Sequence, residues 1–370
     1  MYFDGHFLIE SGWVRGVWAL NPVISPVDTV PRGSQVLRGW ATPGLVDAHC
    51  HIGVGHGAHA LTVDEQREQL CTELAAGVTL LRDCGSPVDT SWVQREAGLP
   101  VLIRCGRHIA RPKRYIRGLA REVDDARDLT AVALEELARG DGWVKIVGDW
   151  IDRSKGKDAD LEPLWPRGAL VEAVAAVHES GGRVAVHAFS HRVVDDLLEA
   201  GVDNIEHASG MDRDQIAEAR SRGVAVSVTM LQRELFGEFA EQSRVKYPRY
   251  SATMMGLSKN RYEQAQLLFD SGITILPASD TGGYQEPGSI RGELYAWAGL
   301  GVPADEILSR ATLKARQYLR STAGFVGGSA DLMIYEQCPS RSVDALLRPT
   351  QICREGVLVT SVHTSIQSWR

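Results

Sequence analysis

The stretch PGLVDAHCHIG, residues 43–53, ends an apolar run in two histidines that are two positions apart, His49 and His51. Successive side chains of a β-strand point to opposite faces, so both imidazoles lie on one face of the strand that we predict over residues 45–53. Two imidazoles on one face suit a divalent metal ion, while a merely polar strand surface would explain the pair equally well if it stood alone. The position of the pair at the start of a repeating pattern favours the metal site, because buried imidazoles without partners leave polar atoms unsatisfied.

Outward from this strand, short apolar runs alternate with longer amphipathic stretches, which predicts repeated βα units. The strands are predicted at residues 45–53, 77–85, 100–106, 143–149, 183–190, 202–209, 224–230 and 273–280. Helices are predicted at residues 63–77, 169–182, 192–201, 213–223, 260–272 and 306–320. Eight such units form an α/β fold, the (β/α)8 TIM barrel, in which reactive groups lie where strands end and loops begin.

The two chain ends contain strand-like segments and many turns. We therefore expect residues 1–41 and 325–370 to form one small β-sandwich domain beside a metal-binding barrel of residues 42–324. Two connections, residues 107–120 and 231–258, are longer than most loops between barrel elements. Long loops on the catalytic face commonly cover the substrate, so we expect these two to determine specificity.

Composition narrows the class of protein. The chain has 370 residues, of which 44% are hydrophobic and 24% charged, as expected of a folded globular enzyme. Its formal net charge of -7 argues against binding to nucleic acid or anionic membranes, which need a basic surface, so we expect a small-molecule substrate. Six scattered cysteines without a CxxC pair, no signal-peptide pattern and no membrane-length apolar run predict free thiols and a cytoplasmic protein, with a homo-oligomer left open.

Further candidate ligands follow three more strands. His187 ends the run VAVH and His207 ends DNIEH. A single histidine at a strand end is more often a hydrogen-bonded structural residue, but two at consecutive strands, with the first pair, give four imidazoles at one end of the barrel. Asp280, in LPASDTGG, adds a carboxylate that could bind a metal and move a proton, or could instead cap a helix.

A lysine inside the fourth predicted strand needs an explanation. Lys145 lies in WVKIVGD, and burying a cation in an apolar strand without a partner is costly. The structural explanation is an ion pair with Asp149 or Asp280. The functional one is a neutral amine, its pKa lowered by burial and nearby metal, that takes up CO2 to become a carbamate able to bridge two cations.

In this order the motifs resemble those of the amidohydrolase superfamily, and the resemblance covers nearly the whole chain. PGLVDAHCH is similar to its first-strand HxH signature, WVKIVG to its lysine strand, VAVHAFS and NIEHASG to its single-histidine strands, and PASDTGG to its aspartate strand. The ending GGSADLMIYE followed by ICREGVLV is similar to its sandwich-forming tail. Within the superfamily the chain most resembles the imidazolonepropionase-like branch and its metal-dependent dipeptidases and prolidases, with departures at VGDWIDR and GRHIARPKRY.

The resemblance implies a metal-dependent amidohydrolase with two ions, Zn²⁺ favoured and Mn²⁺, Co²⁺ or Fe²⁺ compatible. The histidine pair and Asp280 would hold one ion, the two single histidines the other, and a hydroxide and carboxylated Lys145 would bridge them. Asp280 and Lys145 are thus the catalytic candidates. The implied metal ligands are His49, His51, Lys145, His187, His207 and Asp280.

The expected reaction is cleavage of the C–N bond of a dipeptide, N-acyl amino acid or cyclic amide by the bridging hydroxide. Alternatives are a mononuclear deaminase or ring hydrolase in which Lys145 is merely paired, and a lactone or ester hydrolase. A noncatalytic binding protein is disfavoured because all six ligand candidates are present. The basic loop GRHIARPKRYIRG could bind a substrate carboxylate or be solvated surface, and within it His108 and Tyr115 are candidate substrate contacts.

Overall fold

The computed structural model describes residues 1–359. Its strands are β1 Tyr2–Ile9, β2 Gly12–Asn21, β3 Val23–Pro26, β4 Val36–Pro43, β5 Leu45–Cys50, β6 Val78–Asp83, β7 Val101–Arg104, β8 Ile109–Ala110, β9 Arg121–Glu122, β10 Trp143–Val147, β11 Asp149–Ile151, β12 Leu161–Pro163, β13 Arg183–Ala188, β14 Asn204–His207, β15 Ala225–Ser227, β16 Ile275–Leu276, β17 Leu332–Tyr335, β18 Gln351–Arg354 and β19 Val357–Leu358.

The α-helices are α1 Val63–Ala75, α2 Leu129–Arg139, α3 Arg167–Glu179, α4 His191–Ala200, α5 Arg213–Ser221, α6 Met230–Glu234, α7 Phe236–Ser243, α8 Pro248–Ser271, α9 Ile290–Gly299, α10 Ala304–Ser309, α11 Ala315–Leu319 and α12 Val343–Leu346. A π-helical turn, Arg310–Lys314, joins α10 to α11, and a short 3-10 helix spans Arg153–Asp158. No helix among these residues has both the length and the apolar composition that crossing a membrane requires. All six cysteines are free thiols, as predicted.

Each of the eight strands predicted for the barrel contains an observed strand, and these strands pair in parallel. One sheet has the order β5-β6-β7, and a second has the order β16-β15-β14-β13-β10-β8-β9. Backbone hydrogen bonds also link β5 to the segment after β16, from Ala48 N to Pro277 O and from Asp280 N to His49 O, both 2.8 Å. The α/β fold is therefore confirmed, while closure into one eight-stranded barrel stays a prediction.

Local sequence explains several helix ends. The α1 helix starts with a capping box in which the Thr62 side chain accepts from Glu65 N and the Glu65 side chain accepts from Thr62 N. The α4 helix stops at Gly201, which has a left-handed φ of 75° that glycine adopts without a steric penalty. Apolar residues on the helices pack against the outer faces of the parallel strands, and small side chains such as Ala48, Ala185 and Ala225 fill a separate cluster between the strands.

Both chain ends meet in one seven-stranded sheet with the order β19-β18-β17-β4-β1-β2-β3. The antiparallel pairing of β4 with β17 joins the two ends, and Phe3, Phe7, Trp18 and Leu332 contribute to a hydrophobic cluster of their own on this sheet. The pairing of the ends is as predicted. Its arrangement as a two-layer sandwich and the domain division at residues 41 and 325 stay predictions, and residues 360–370 of the second end lie outside the described part.

The second long connection is not a loop. Residues 231–258 fold into most of α6, all of α7 and the start of α8, so α8 begins twelve residues before the helix predicted at 260–272. Pro248 occupies the first turn of α8, where its fixed φ suits a helix. The carboxylate of Glu293 accepts hydrogen bonds from Met230 N and Leu231 N at the start of α6. A cap supplied from more than sixty residues away leaves no local sequence pattern. For this reason residues 231–258 were predicted as a loop and not as helices.

Candidate metal centre and active site

The predicted ligands come from different strands and gather at one end of them. His49 lies in β5 with His51 one residue beyond its end, Lys145 lies in β10, His187 in β13, and His207 ends β14. The β13 and β14 strands pair in register so that Ala188 lies opposite His207. Because these strands are parallel, their carboxyl ends share one edge, which brings side chains far apart in sequence together.

Asp280 lies at the centre of this group. Its Oδ1 is 3.2 Å from His49 Nε2 and 3.4 Å from His51 Nε2. One ligand atom from each of His49, His207 and Asp280 lies within 4.8 Å of the other two. The ring centroids of His187 and His207 are 4.8 Å apart. Asp280 does not cap a helix, since the next helix begins at Ile290, so the structural alternative considered for this residue is wrong.

Neighbouring groups orient three of the imidazoles. His51 Nδ1 donates to Gly85 O over 2.9 Å, since a carbonyl oxygen can only accept, and the lone pair then lies on Nε2. His49 Nδ1 is 2.7 Å from Glu206 Oε2, a contact that favours the proton on Nδ1. His207 Nδ1 is hydrogen-bonded to Thr229 Oγ1 over 2.8 Å. Such contacts to the second ring nitrogen are typical of histidines that bind metal through the first.

The buried atoms of the site that have no hydrogen-bond partner among residues 1–359 include Lys145 Nζ, His49 Nδ1 and both ring nitrogens of His187. His187 Nε2 is 3.6 Å from Asp149 Oδ1, whose carboxylate already accepts from Phe189 N and Ser190 N. Leaving buried polar atoms unpaired costs free energy, so such atoms commonly mark a missing ligand. Imidazoles, a carboxylate and an unpaired amine around one point fit a divalent metal ion.

Burial and charge set the ionisation of the site. Burial, with the charge of Lys145, holds the pKa of His187 well below its ordinary value. Burial and the neighbouring His187 do the same to the pKa of His207. Burial alone would raise the pKa of Asp280, but the adjacent His49 and His51 hold it well below the ordinary value. Two neutral imidazoles and an ionised carboxylate are the forms that bind metal.

The backbone at the site is strained. His207, Thr229 and Asp280 have φ angles of 66°, 48° and 59°, and Ala208 has 52°. Residues with a side chain rarely adopt positive φ, and such strain persists only where the surroundings enforce it. Two of these residues, His207 and Asp280, are predicted ligands, and Thr229 contacts the ring of His207, so the strain is concentrated where side chains must be aimed.

A buried ion pair lies beneath the ligands and was not predicted. Arg82 NH2 is 2.6 Å from Glu206 Oε1, and both side chains are fully buried. Glu206 Oε1 is also 3.9 Å from Lys145 Nζ. The structural explanation predicted an ion pair of Lys145 with Asp149 or Asp280. In this structure the carboxylate that Lys145 approaches is that of Glu206. The runs LLRD and NIEH each place a charge in an apolar strand, which is the signal that could have identified the pair.

A cavity of about 300 Å³ is lined by four of the predicted ligands, His51, His187, His207 and Asp280. We call His49, His51, Lys145, His187, His207 and Asp280 the floor. We call the side chains that line the cavity above it the wall, which includes Tyr115, Trp150, Arg153, Phe239, Lys246 and Tyr250. Both long connections contribute to the wall, as expected of segments that cover a substrate.

The two predicted substrate contacts are placed differently. Tyr115 lines the cavity, and its ring centroid is 5.8 Å from that of His187. His108 is buried behind it, with its ring centroid 4.9 Å from that of Tyr115 and 5.7 Å from that of His51. His108 is not among the described residues that line the cavity. Its position is that of a support for Tyr115 and His51.

The basic charges of the loop after β7 point elsewhere. Arg107 donates to Gly118 O and Leu119 O, and Arg114 pairs with Asp152 over 2.7 Å. No arginine or lysine of residues 107–117 lines the cavity in the described structure. The carboxylate-binding role considered for this loop is thus not supported by its geometry, and the cations of the cavity are Arg153 and Lys246.

Comparison with known proteins agrees with this architecture. Residues 40–348 match the amidohydrolase family. Uncharacterized proteins of Mycobacterium tuberculosis and Mycobacterium bovis are each 40% identical over 341 residues, covering 92% of this chain and 90% of the relative.

Two solved structures have the same fold. A Xaa-Pro dipeptidase with bound methionine in its active site has a TM-score of 0.80 and 18% identity, covering 97% of this chain and 100% of that one. A putative prolidase from Bifidobacterium longum has a TM-score of 0.80 and 20% identity, covering 97% and 94%. The resemblance predicted from the motifs is confirmed.

Proposed function

Because this chain belongs to the amidohydrolase family, we propose that it is a metal-dependent hydrolase that cleaves the C–N bond of a small amide, such as a dipeptide, an N-acyl amino acid or a cyclic amide. The observation that carries the proposal is the convergence of His49, His207 and Asp280 within 4.8 Å at the floor of a cavity. A cavity of about 300 Å³ suits a small molecule and is at the lower end of the range for such sites.

The six floor residues would hold the metal. Imidazole and carboxylate ligands suit Zn²⁺, and Mn²⁺, Co²⁺ or Fe²⁺ are compatible with the same set. When bound, divalent ions at such a site supply activation of water at neutral pH and polarisation of the scissile carbonyl. The contacts of Glu206, Gly85 and Thr229 to the second ring nitrogens would keep three imidazoles in the orientation and tautomer that this role requires.

Lys145 is proposed to carry a carbamate, which would be one of the groups that hold the metal. Its Nζ is buried and lacks a hydrogen-bond partner within residues 1–359. If the group were an ammonium ion, the carboxylate of Glu206, 3.9 Å away, would be its ion-pair partner there. Loss of one proton would give the neutral amine, and addition of its nitrogen to CO2 with loss of a second proton would give an anion with two ligand oxygens.

Asp280 is proposed as the residue that moves the proton. Its carboxylate is ionised at neutral pH and lines the cavity, so it would accept a proton from the attacking water and pass it to the departing nitrogen. The left-handed backbone of Asp280 aims the carboxylate between two imidazoles instead of toward a helix end. Tyr115, which faces the cavity, is proposed to contact the substrate.

A second candidate is a mononuclear deaminase or ring hydrolase in which Lys145 remains an ammonium ion. The 3.9 Å approach of Lys145 to Glu206 favours this reading, since an ammonium ion would be attracted to the carboxylate while a carbamate would be repelled by it. The number of ions bound per chain separates the two candidates.

The test is a hydrolysis screen of dipeptides, N-acyl amino acids, lactams and lactones with protein supplied with Zn²⁺, Mn²⁺ or Co²⁺, alongside counting of bound metal. We expect amide cleavage and about two ions per chain, and Lys145→Ala should lose at least one ion and about 100-fold in kcat. Lys155→Ala, which removes a half-exposed lysine outside the floor, is the control. One ion per chain and undiminished activity in Lys145→Ala would leave the mononuclear candidate, and cleavage of lactones alone would overturn amide hydrolysis.

A further inference from the structure

We propose that the substrate carries an aromatic group and a carboxylate, and that Arg153 and Lys246 at the mouth of the cavity bind the carboxylate. This inference rests on the proposed function, because the amide would be cleaved at the same floor. It names the substrate class, which neither the ligand set nor the family determines.

The wall presents aromatic rings from several elements. The Tyr115 and Trp150 ring centroids are 4.8 Å apart, and Trp150 is 5.4 Å from the ring of His187 at the floor. From the helices after β15, the Phe239 ring is 5.5 Å from that of Tyr284. Rings at such spacings provide faces and edges on which a flat apolar group packs favourably. An aliphatic group of the same length would bury less area against them.

The charge at the mouth is positive and uncompensated. Arg153 and Lys246 both line the cavity and are exposed, and neither forms an ion pair within the described residues. Their basic neighbours differ in this respect, since Lys155 is 2.9 Å from Glu162 and Arg249 is 3.3 Å from Asp160. Within the described residues, Arg153 and Lys246 therefore lack an acidic partner, whereas Lys155 and Arg249 each have one.

Acidic groups are nearly missing from the same surface. Asp280 is the one carboxylate among the described residues that line the cavity, and its Oδ1 faces the floor histidines. A substrate with a positively charged side chain would thus meet repulsion at the mouth and find no partner. A carboxylate would gain charge-assisted hydrogen bonds, with Arg153 able to bind both of its oxygens.

Binding measured apart from hydrolysis tests the charge. The probes are 3-phenylpropionate and the neutral 3-phenylpropanol, titrated by calorimetry into zinc-supplied protein. We expect the double variant Arg153→Gln/Lys246→Gln to bind the acid about tenfold more weakly and the alcohol unchanged. Lys259→Gln, an exposed lysine on α8 that does not line the cavity, is the matched control. Equal affinity of wild type and double variant for the acid would overturn the role of the two cations.

The aromatic requirement is tested with a second pair of variants on one helix. Tyr250→Leu removes a ring that lines the cavity, and Tyr262→Leu removes an exposed ring from the same helix. We expect Tyr250→Leu, but not Tyr262→Leu, to weaken 3-phenylpropionate binding about fivefold while leaving butyrate binding unchanged. Equal binding of butyrate and 3-phenylpropionate by the wild type would overturn this part without relying on any variant.

Hydrolysis then separates the inference from the function on which it rests. We expect kcat/KM to fall at least tenfold from N-benzoylglycine to N-benzoylglycinamide and to N-acetylglycine. Cleavage of all three at equal rates would overturn the inference and leave the hydrolase intact. Tight, charge-dependent binding of 3-phenylpropionate without cleavage of any amide would overturn the hydrolase and leave the recognition of an aromatic acid.

Discussion

The floor residues lie in the parallel strands or within a few residues after them, whereas most wall residues lie on helices and loops inserted between those strands. Floor residues such as His49 and Lys145 are almost fully buried, each about 1% exposed, and Asp280 Oδ1 lies 3.2 Å from His49 Nε2 and 3.4 Å from His51 Nε2. Wall residues such as Arg153 and Lys246 are exposed and lack ion-pair partners in the described structure. The floor is thus fixed by many neighbours and the wall by few.

This contrast separates chemistry from selectivity. Parallel strands in register leave the floor side chains little freedom, as a metal site with defined geometry requires. Side chains on inserted helices can change without disturbing the strands, as recognition of different substrates requires. Substitutions in the floor should therefore affect catalysis, metal binding and stability strongly, and substitutions in the wall should affect selectivity or produce small changes.

The largest effect is expected from Asp280→Asn. The amide keeps the size of the side chain but cannot accept a proton, so kcat for the best substrate of the screen should fall about 10³-fold. Asp270→Asn, on the exposed surface of α8, should keep the kcat of the wild type. Steady-state kinetics with saturating Zn²⁺ provides the measurement. A kcat within a few-fold of the wild type would show that the floor does not act through this carboxylate.

The next effect is on stability. Glu206→Gln removes the charge that Arg82 contacts at 2.6 Å and leaves a buried guanidinium unpaired, so the free energy of unfolding should fall by about 3 kcal/mol. Glu135→Gln breaks a 2.5 Å pair with Arg121 at the surface and should cost less than about 1 kcal/mol. Urea unfolding of both variants gives the comparison. Equal losses would mean that the buried pair beneath the floor stabilises the protein no more than a surface pair does.

The floor was predictable from sequence because each ligand has a local signal. His49 and His51 share a strand face, and His187 and His207 each end an apolar run, so strand periodicity and the parallel arrangement were sufficient. The pair of Arg82 and Glu206 was not predicted, since its members are 124 positions apart and only the fold brings them together. The sequence places each of the two charges in an apolar strand, but it does not show that they are partners.

The two segments that form much of the wall, and Tyr115 within one of them, were predicted, but the cations of the wall could not be, because their determinants are long-range. Arg153 and Lys246 lie in polar segments where charge normally indicates solvated surface, and nothing local shows that they face a cavity. Arg107 and Arg114 lie in the basic loop, which could have bound a substrate carboxylate or been solvated surface, and they are used in hydrogen bonds and an ion pair. Which cations stay free depends on which acids the fold places beside them.

Thr229 lies between the floor and the inserted segment that forms part of the wall. Its Oγ1 contacts His207 Nδ1, and the helix α6 of the inserted segment begins at the next residue. Thr229→Val keeps the branched shape but removes the hydroxyl, so the affinity for Zn²⁺ should fall about tenfold, which is about 1.4 kcal/mol. Thr229→Ser keeps the hydroxyl and should restore the affinity in competition with a chelator. Unchanged affinity in Thr229→Val would assign Thr229 to the wall alone.

The smallest effect concerns the attachment of the wall and depends on pH. Burial raises the pKa of Glu293, which accepts from Met230 N and Leu231 N, from 4.5 to about 7. The folded protein therefore keeps this proton where the unfolded chain has lost it, and the stabilising effect of the protonated form declines as pH rises from about 5 to 7. Glu293→Gln stays neutral, so its free energy of unfolding relative to the wild type should rise by roughly 1 kcal/mol between pH 6 and pH 7. Urea unfolding of both proteins at each pH measures the difference. A difference that stays constant or falls with pH would show that Glu293 is ionised in the folded protein. The start of α6 would then be held by a charged carboxylate and not by a neutral one.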